Sequence, residues 1–100
     1  MKTKSVRLDF YVMDVLMPDL VGHDKQPSAF IVYLYFWMRV ALSRARRIAV
    51  SHQTIANDTG LSKSAVQSAV RTLIRRKLIR SELKFRTAVP EYVLLRPWRR

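Results

Sequence analysis

A chain of 100 residues, 49% of them apolar, can build one core and one domain, and without cysteine it has neither a disulfide framework nor a thiolate metal site. Its 19 lysines and arginines exceed its 7 acids to give a net charge of +12, and the excess is one-sided: residues 1–38 hold four bases and four acids, whereas residues 39–100 hold fifteen bases against Asp58, Glu82 and Glu91. With His23 and His52 as the two histidines, no acid pair at catalytic spacing and no glycine-rich phosphate loop, the composition points away from an enzyme and towards a binding protein whose partner is a polyanion.

The N-terminus lacks the basic-then-apolar run of a secretion signal, so a cytoplasmic location is expected. Residues 5–13 alternate, with Val6, Leu8, Phe10 and Val12 set against Arg7, Asp9 and Tyr11, which suits a half-buried strand or an extended arm. Pro18, Gly22 and Pro27 read as the punctuation of a loop. Residues 1–27 are thus expected to form an arm and loop, and residues 28–100 the main body of one compact domain.

A helix is expected over residues 28–44, and its residues 30–38, Val40 and Leu42 leave almost no polar side. It is too short to span a membrane, because the apolar run closes at Arg39 after ten residues and a span needs about 20. A helix apolar on every side must be covered on every side. The arm can fold back over it within one chain, or a second copy can cover it; the expected arrangement is a homodimer whose interface includes Tyr33, Phe36, Trp37 and Val40. Trp37 and Trp98 are expected to pack in the core rather than stack on bases.

Ile48 and Val50 can form a short strand ahead of two further helices. Ser51 can cap the first, running through Gln53, Ile55, Ala56 and Asp58, and Gly60 stands where a helix needs a residue tolerant of positive φ to stop. Leu61 follows, and Ser62 can cap the second, running from Lys63 to about Lys77. The small Ala56 four positions before the glycine lets two helices cross closely, as a helix-turn-helix requires. Wound at 3.6 residues per turn, the second helix places Val66, Ala69, Val70 and Leu73 on one side. Ser64, Gln67, Ser68, Arg71 and Arg75 fall on the other. That acid-free face carries hydroxyls, an amide and guanidinium groups, which bind phosphate oxygens and read purine edges in a major groove. His52, at the start of the first helix, is a candidate phosphate contact or a plain solvated residue.

Beyond residue 78 the period changes to two: Ile79, Ser81, Leu83 and Phe85 alternate with Arg80, Glu82, Lys84 and Arg86, a strand with one apolar and one charged face. Residues 87–90 make a turn, and Tyr92, Val93, Leu94 and Leu95 return. Arg96, Arg99 and Arg100 form a basic tail that either touches phosphates or lies in solvent.

Residues 48–95 resemble a winged helix-turn-helix domain of the bacterial transcriptional regulator type. The resemblance rests on Thr54-Ile55-Ala56, Thr59-Gly60-Leu61-Ser62, the helix from Val66 to Leu73, and Lys77-Leu78-Ile79. It implies a mainly α fold with a small antiparallel β-hairpin wing. It also implies sequence-specific binding of double-stranded DNA, usually by a homodimer, with helix 62–77 in the major groove and wing 79–96 on the backbone or minor groove. Ser62, Lys63, Ser64, Gln67, Ser68 and Arg71 match the positions that face DNA in such proteins. Arg75, His52, Lys84 and Arg86 complete the expected contact set. The wing turn has no glycine and no effector domain is appended, so neither a small-molecule effector nor a cofactor or metal is expected. A transcriptional regulator is the first reading. A replication or partition accessory of a plasmid or phage, or a winged-helix adaptor that binds protein, are the alternatives.

Overall fold

The computed structural model describes residues 4–83 and 89–99. After an irregular arm to Asp9 the chain turns helical at Phe10 and passes through two wide turns, Val12–Leu16 and Pro18–His23. Then follow α1 (Pro27–Ser43), β1 (Arg47–Ala49), α2 (His52–Thr59), α3 (Lys63–Arg75), β2 (Ile79–Glu82) and β3 (Glu91–Leu94). The molecule is mainly helical with a small three-stranded antiparallel sheet of order β1-β3-β2, a layout consistent with helices plus a wing. Among the described residues no helix is long and apolar enough to cross a membrane.

The segment expected as arm and loop is largely helical. Its bonds reach back five or six residues, as from Asp24 N–H to Asp19 O at 2.8 Å and Gln26 N–H to Leu20 O at 2.7 Å, so its turns are wider than α turns. The prolines do not break it. Pro18 opens the second wide turn and Pro27 opens α1, positions where a missing N–H costs nothing. Val12, Leu16 and Leu20, spaced by four, are buried, while Phe10 is 77% exposed, so the apparent alternation of residues 5–13 does not describe a strand.

This segment folds back over α1 and completes the core inside one chain. Tyr33, Phe36 and Trp37 are 0%, 1% and 3% exposed, and Val40 is half-buried. The chain itself therefore covers Tyr33, Phe36 and Trp37, which were expected to face a partner, while Val40 keeps part of its surface. Trp37 Nε1–H donates to Arg7 O at 2.8 Å, Tyr33 OH donates to Leu95 O at 2.9 Å, and Trp98 stacks on Tyr11 with ring centres 4.6 Å apart. Both tryptophans pack, as expected.

The basic tail is anchored as far as Arg99. Arg96 and Arg99 place their guanidinium carbons 4.6 Å and 5.7 Å from the Trp37 ring centre, and Arg99 also bonds the Asp9 carboxylate through Nε at 2.7 Å. Trp98 Nε1–H donates to the same carboxylate at 2.9 Å. The bonds from Arg99 first, then the one from Trp98, hold the Asp9 carboxyl down to about 2 against burial that pushes it up. A carboxyl depressed by folding stabilises fully above its unfolded pKa of about 3.9 and loses that contribution as the pH falls. Asp9→Asn should therefore flatten the decline in chemical-denaturation stability between about pH 4 and about pH 2. An unchanged acid limb would show that the latch contributes nothing.

At the other end of α3, Arg76 bonds Asp19 and reaches Asp24 at 3.0 Å, tying the N-terminal wide turns to the domain body. Both short helices begin as the sequence indicates: Ser51 Oγ accepts from Thr54 N–H at 3.1 Å, and Ser62 Oγ from Ala65 N–H at 3.1 Å. Gly60 closes α2 at φ +82°, with nothing within 4 Å of where a Cβ would stand. Gly60→Ala should thus cost backbone strain alone, about 1–2 kcal/mol in urea unfolding. A neutral result would mean that the turn can relax out of the left-handed region.

The segment expected as a wing departs from strict alternation. Ile79 is buried, but Ser81 is exposed and Leu83 is 52% exposed, because the strand leaves the body and opens a groove beside α3. Lys84, Arg86 and the start of the turn at Thr87 lie outside the described residues.

Candidate nucleic-acid interface

The side of α3 that packs on α1 and α2 buries Val66, Ala69, Val70, Thr72 and Leu73, and this fixes what faces outward. Lys63, Ser64 and Arg71 are exposed, and Gln67 and Ser68 are half-buried. Ser62 is spent largely on capping, its Oγ turned to the backbone of Ala65. Arg75 is exposed, but its charge acts on Asp24, so it stands towards the Asp19–Asp24–Arg76 cluster rather than in the middle of the face.

A groove of about 500 Å³ runs between α3 and the sheet. Gln67, Val70, Arg71 and Ile74 form one wall, Ser81, Leu83, Pro90 and Tyr92 the other, and His52 closes one end. The base of α2 and the central strand meet there, since His52 Nε2 and Tyr92 OH lie 3.2 Å apart. Burial first, then the charges of Lys63 and Arg71, push the His52 pKa down. No acid is among the groups that act on it.

Several of the basic side chains are paired within the chain. Arg39 faces Asp58 at 3.9 Å, Arg47 and Arg80 share Glu82, Arg76 holds Asp19 and Asp24, and Arg99 holds Asp9. Among the described residues neither Lys63 nor Arg71 has a carboxylate within ion-pair distance. An anion docking there displaces no internal salt bridge, so the whole of its attraction remains available for binding.

The sequence set Ser64, Gln67, Ser68, Arg71 and Arg75 on the side of the helix away from the core, and in the structure Ser64, Arg71 and Arg75 are exposed while Gln67 and Ser68 are half-buried. It missed Tyr92 and the groove, because the register that sets Ser81 opposite Tyr92 is a long-range fact with no local signal. A second hollow of about 260 Å³, bordered by Val40, Arg46, Leu94, Leu95 and Arg96, was likewise not legible.

One group of metal-ligating types exists among the described residues: ligand atoms of Asp19, His23 and Asp24 lie within 4.8 Å of one another. Arg76 already bonds both carboxylates and supplies the positive charge that a cation would bring. His23 first, with Arg76 adding its charge, lowers the Asp24 pKa against desolvation that raises it. The cluster reads as a structural tie.

No protein-family model, curated protein or solved structure matches the chain.

Proposed function

We propose that this protein is a winged helix-turn-helix that binds double-stranded DNA sequence-specifically and acts as a transcriptional regulator in the cytoplasm of a bacterium. The observation that carries the reading is the outward face of α3, where Lys63 and Arg71 stand without carboxylate partners beside Ser64, Gln67 and Ser68. Gln67 and Arg71 are one helical turn apart and share a wall of the groove, so both can reach the edges of neighbouring base pairs. Lys63 and Ser64, in the first turn of α3, and the partly buried His52 at the start of α2 are suited to phosphate oxygens on either side. The element order and the β1-β3-β2 sheet support the resemblance seen in residues 48–95.

Selection of bound duplexes from a random pool tests this directly. Enrichment of a defined motif is expected, with affinity falling as salt rises by about 0.9 log units per log unit for each phosphate neutralised. Recovery of unenriched duplex with the same salt slope would reduce the protein to a non-specific DNA binder. Failure to retain any duplex at low salt would end the reading.

A further inference from the structure

Tyr92 brings a hydroxyl group into the floor of the groove beside α3. The residue is 2% exposed, its ring rests on Phe36 with centres 5.1 Å apart, and burial pushes the hydroxyl pKa up, so the oxygen keeps its hydrogen. Among the described residues the one hydrogen-bond partner of that hydroxyl is His52 Nε2, 3.2 Å away. A buried hydroxyl hydrogen without an acceptor is costly, so it is directed at Nε2, which must keep its lone pair to receive it. A neutral imidazole carries one hydrogen, and that hydrogen therefore sits on Nδ1. Nδ1 bonds no described residue, and the half-buried ring closes one end of the groove.

We infer that Tyr92 is the positioning residue of a phosphate seat: it holds His52 in the Nδ1–H form, so that an uncharged imidazole donates this hydrogen to a backbone phosphate oxygen drawn in by Lys63 and Arg71. A phosphodiester oxygen only accepts, and the other tautomer would turn a lone pair towards it. Protonation of Nε2 would strand the Tyr92 hydrogen in the core and set a third positive charge beside Lys63 and Arg71. Burial of the imidazole and those two charges oppose the proton as well. The remaining elements supply nothing to offset them. On α2 itself, Asp58 lies at the far end of the helix, where it bonds Tyr35 of α1 at 2.7 Å. Glu91 stands on the opposite face of β3 from Tyr92, with Arg47 of β1 at 3.8 Å, and Ser81, across from Tyr92 on β2, is uncharged. The seat thus recognises its anion by a hydrogen bond from His52 and by charge from Lys63 and Arg71, with no proton taken up.

This inference rests on the proposed function only for the nature of the anion, because the tautomer is measured on the full chain without DNA. His23 and His52 are the two histidines, so isotopic labelling of imidazole nitrogens gives two sets of magnetic-resonance signals, and His23→Gln tells them apart. At about pH 7.5, above the ordinary histidine range, His52 should show a protonated Nδ1 and an unprotonated Nε2. Tyr92→Phe removes one oxygen and leaves the ring on Phe36. It should shift His52 towards the Nε2–H form that unconstrained histidine favours and raise its titration midpoint, with the far-ultraviolet circular dichroism unchanged. Between about pH 8 and about pH 6 this variant should gain affinity for duplex more steeply than the parent, by at most about tenfold per pH unit for one proton. A parent whose His52 is in the Nε2–H or doubly protonated form, or a Tyr92→Phe variant with the parent's tautomer and the parent's slope, would overturn the assignment. The Nδ1–H form in a parent that retains no duplex would remove the phosphate, and with it the proposed function, while the hold of Tyr92 on the tautomer would stand.

Discussion

Arg71→Ala is expected to weaken binding to the selected duplex by about 1–3 kcal/mol while weakening binding to random duplex much less. The guanidinium is exposed, has no carboxylate partner among the described residues, and stands one turn from Gln67 on the same groove wall. Removing it takes away both a charge and a bidentate donor, so the loss should concentrate at one base pair of the motif. Lys63→Ala, by contrast, should lower affinity for all duplexes alike and reduce the salt slope by about one unit. Titration of each variant against the matched and the randomised duplex separates the two roles. An equal loss on both duplexes for Arg71→Ala would reassign that side chain to the backbone.

Phe36→Ala should have the largest effect on the fold, about 3–5 kcal/mol. Its ring is 1% exposed and lies with its centre 5.1 Å from that of Tyr92 and 5.9 Å from that of Tyr35. Total stabilities of about 5–15 kcal/mol leave little margin for such a loss in a 100-residue domain. Tyr92 is also the groove residue beside His52, so the part of the population that remains folded should bind DNA more weakly than its α3 face alone implies. A urea midpoint shift worth under about 1 kcal/mol would show that α1 and the central strand are not coupled through this ring.

The parts of the molecule that the sequence made legible are those whose cause lies within a few residues. Ser51 and Ser62 reach N–H groups three positions on, Gly60 adopts a φ that other residues avoid, and Val66, Ala69, Val70 and Leu73 repeat with the helix. The rotation of α1 could not be read in the same way. A helix with apolar residues all round has no phase in its pattern, so the sequence could not tell that Tyr33, Phe36 and Trp37 point inward while Ile31, Met38 and Leu42 point out. The helical character of residues 10–23 was hidden by Pro18 and Gly22, although Val12, Leu16 and Leu20 already carried the four-residue spacing. Ser81 and Leu83 show a third limit. A strand that leaves the body keeps its alternation in sequence and loses it in burial.

The latch between Asp9 and Arg99 joins positions 90 residues apart. Closing a loop of that length costs entropy that only the finished contact repays, so the latch is expected to form late in folding, after the local caps and the crossing of α2 and α3. The order reverses on unfolding. The arm and tail should be the first to exchange their amide protons, a low-stability unit on a body that still holds the α3 face in place.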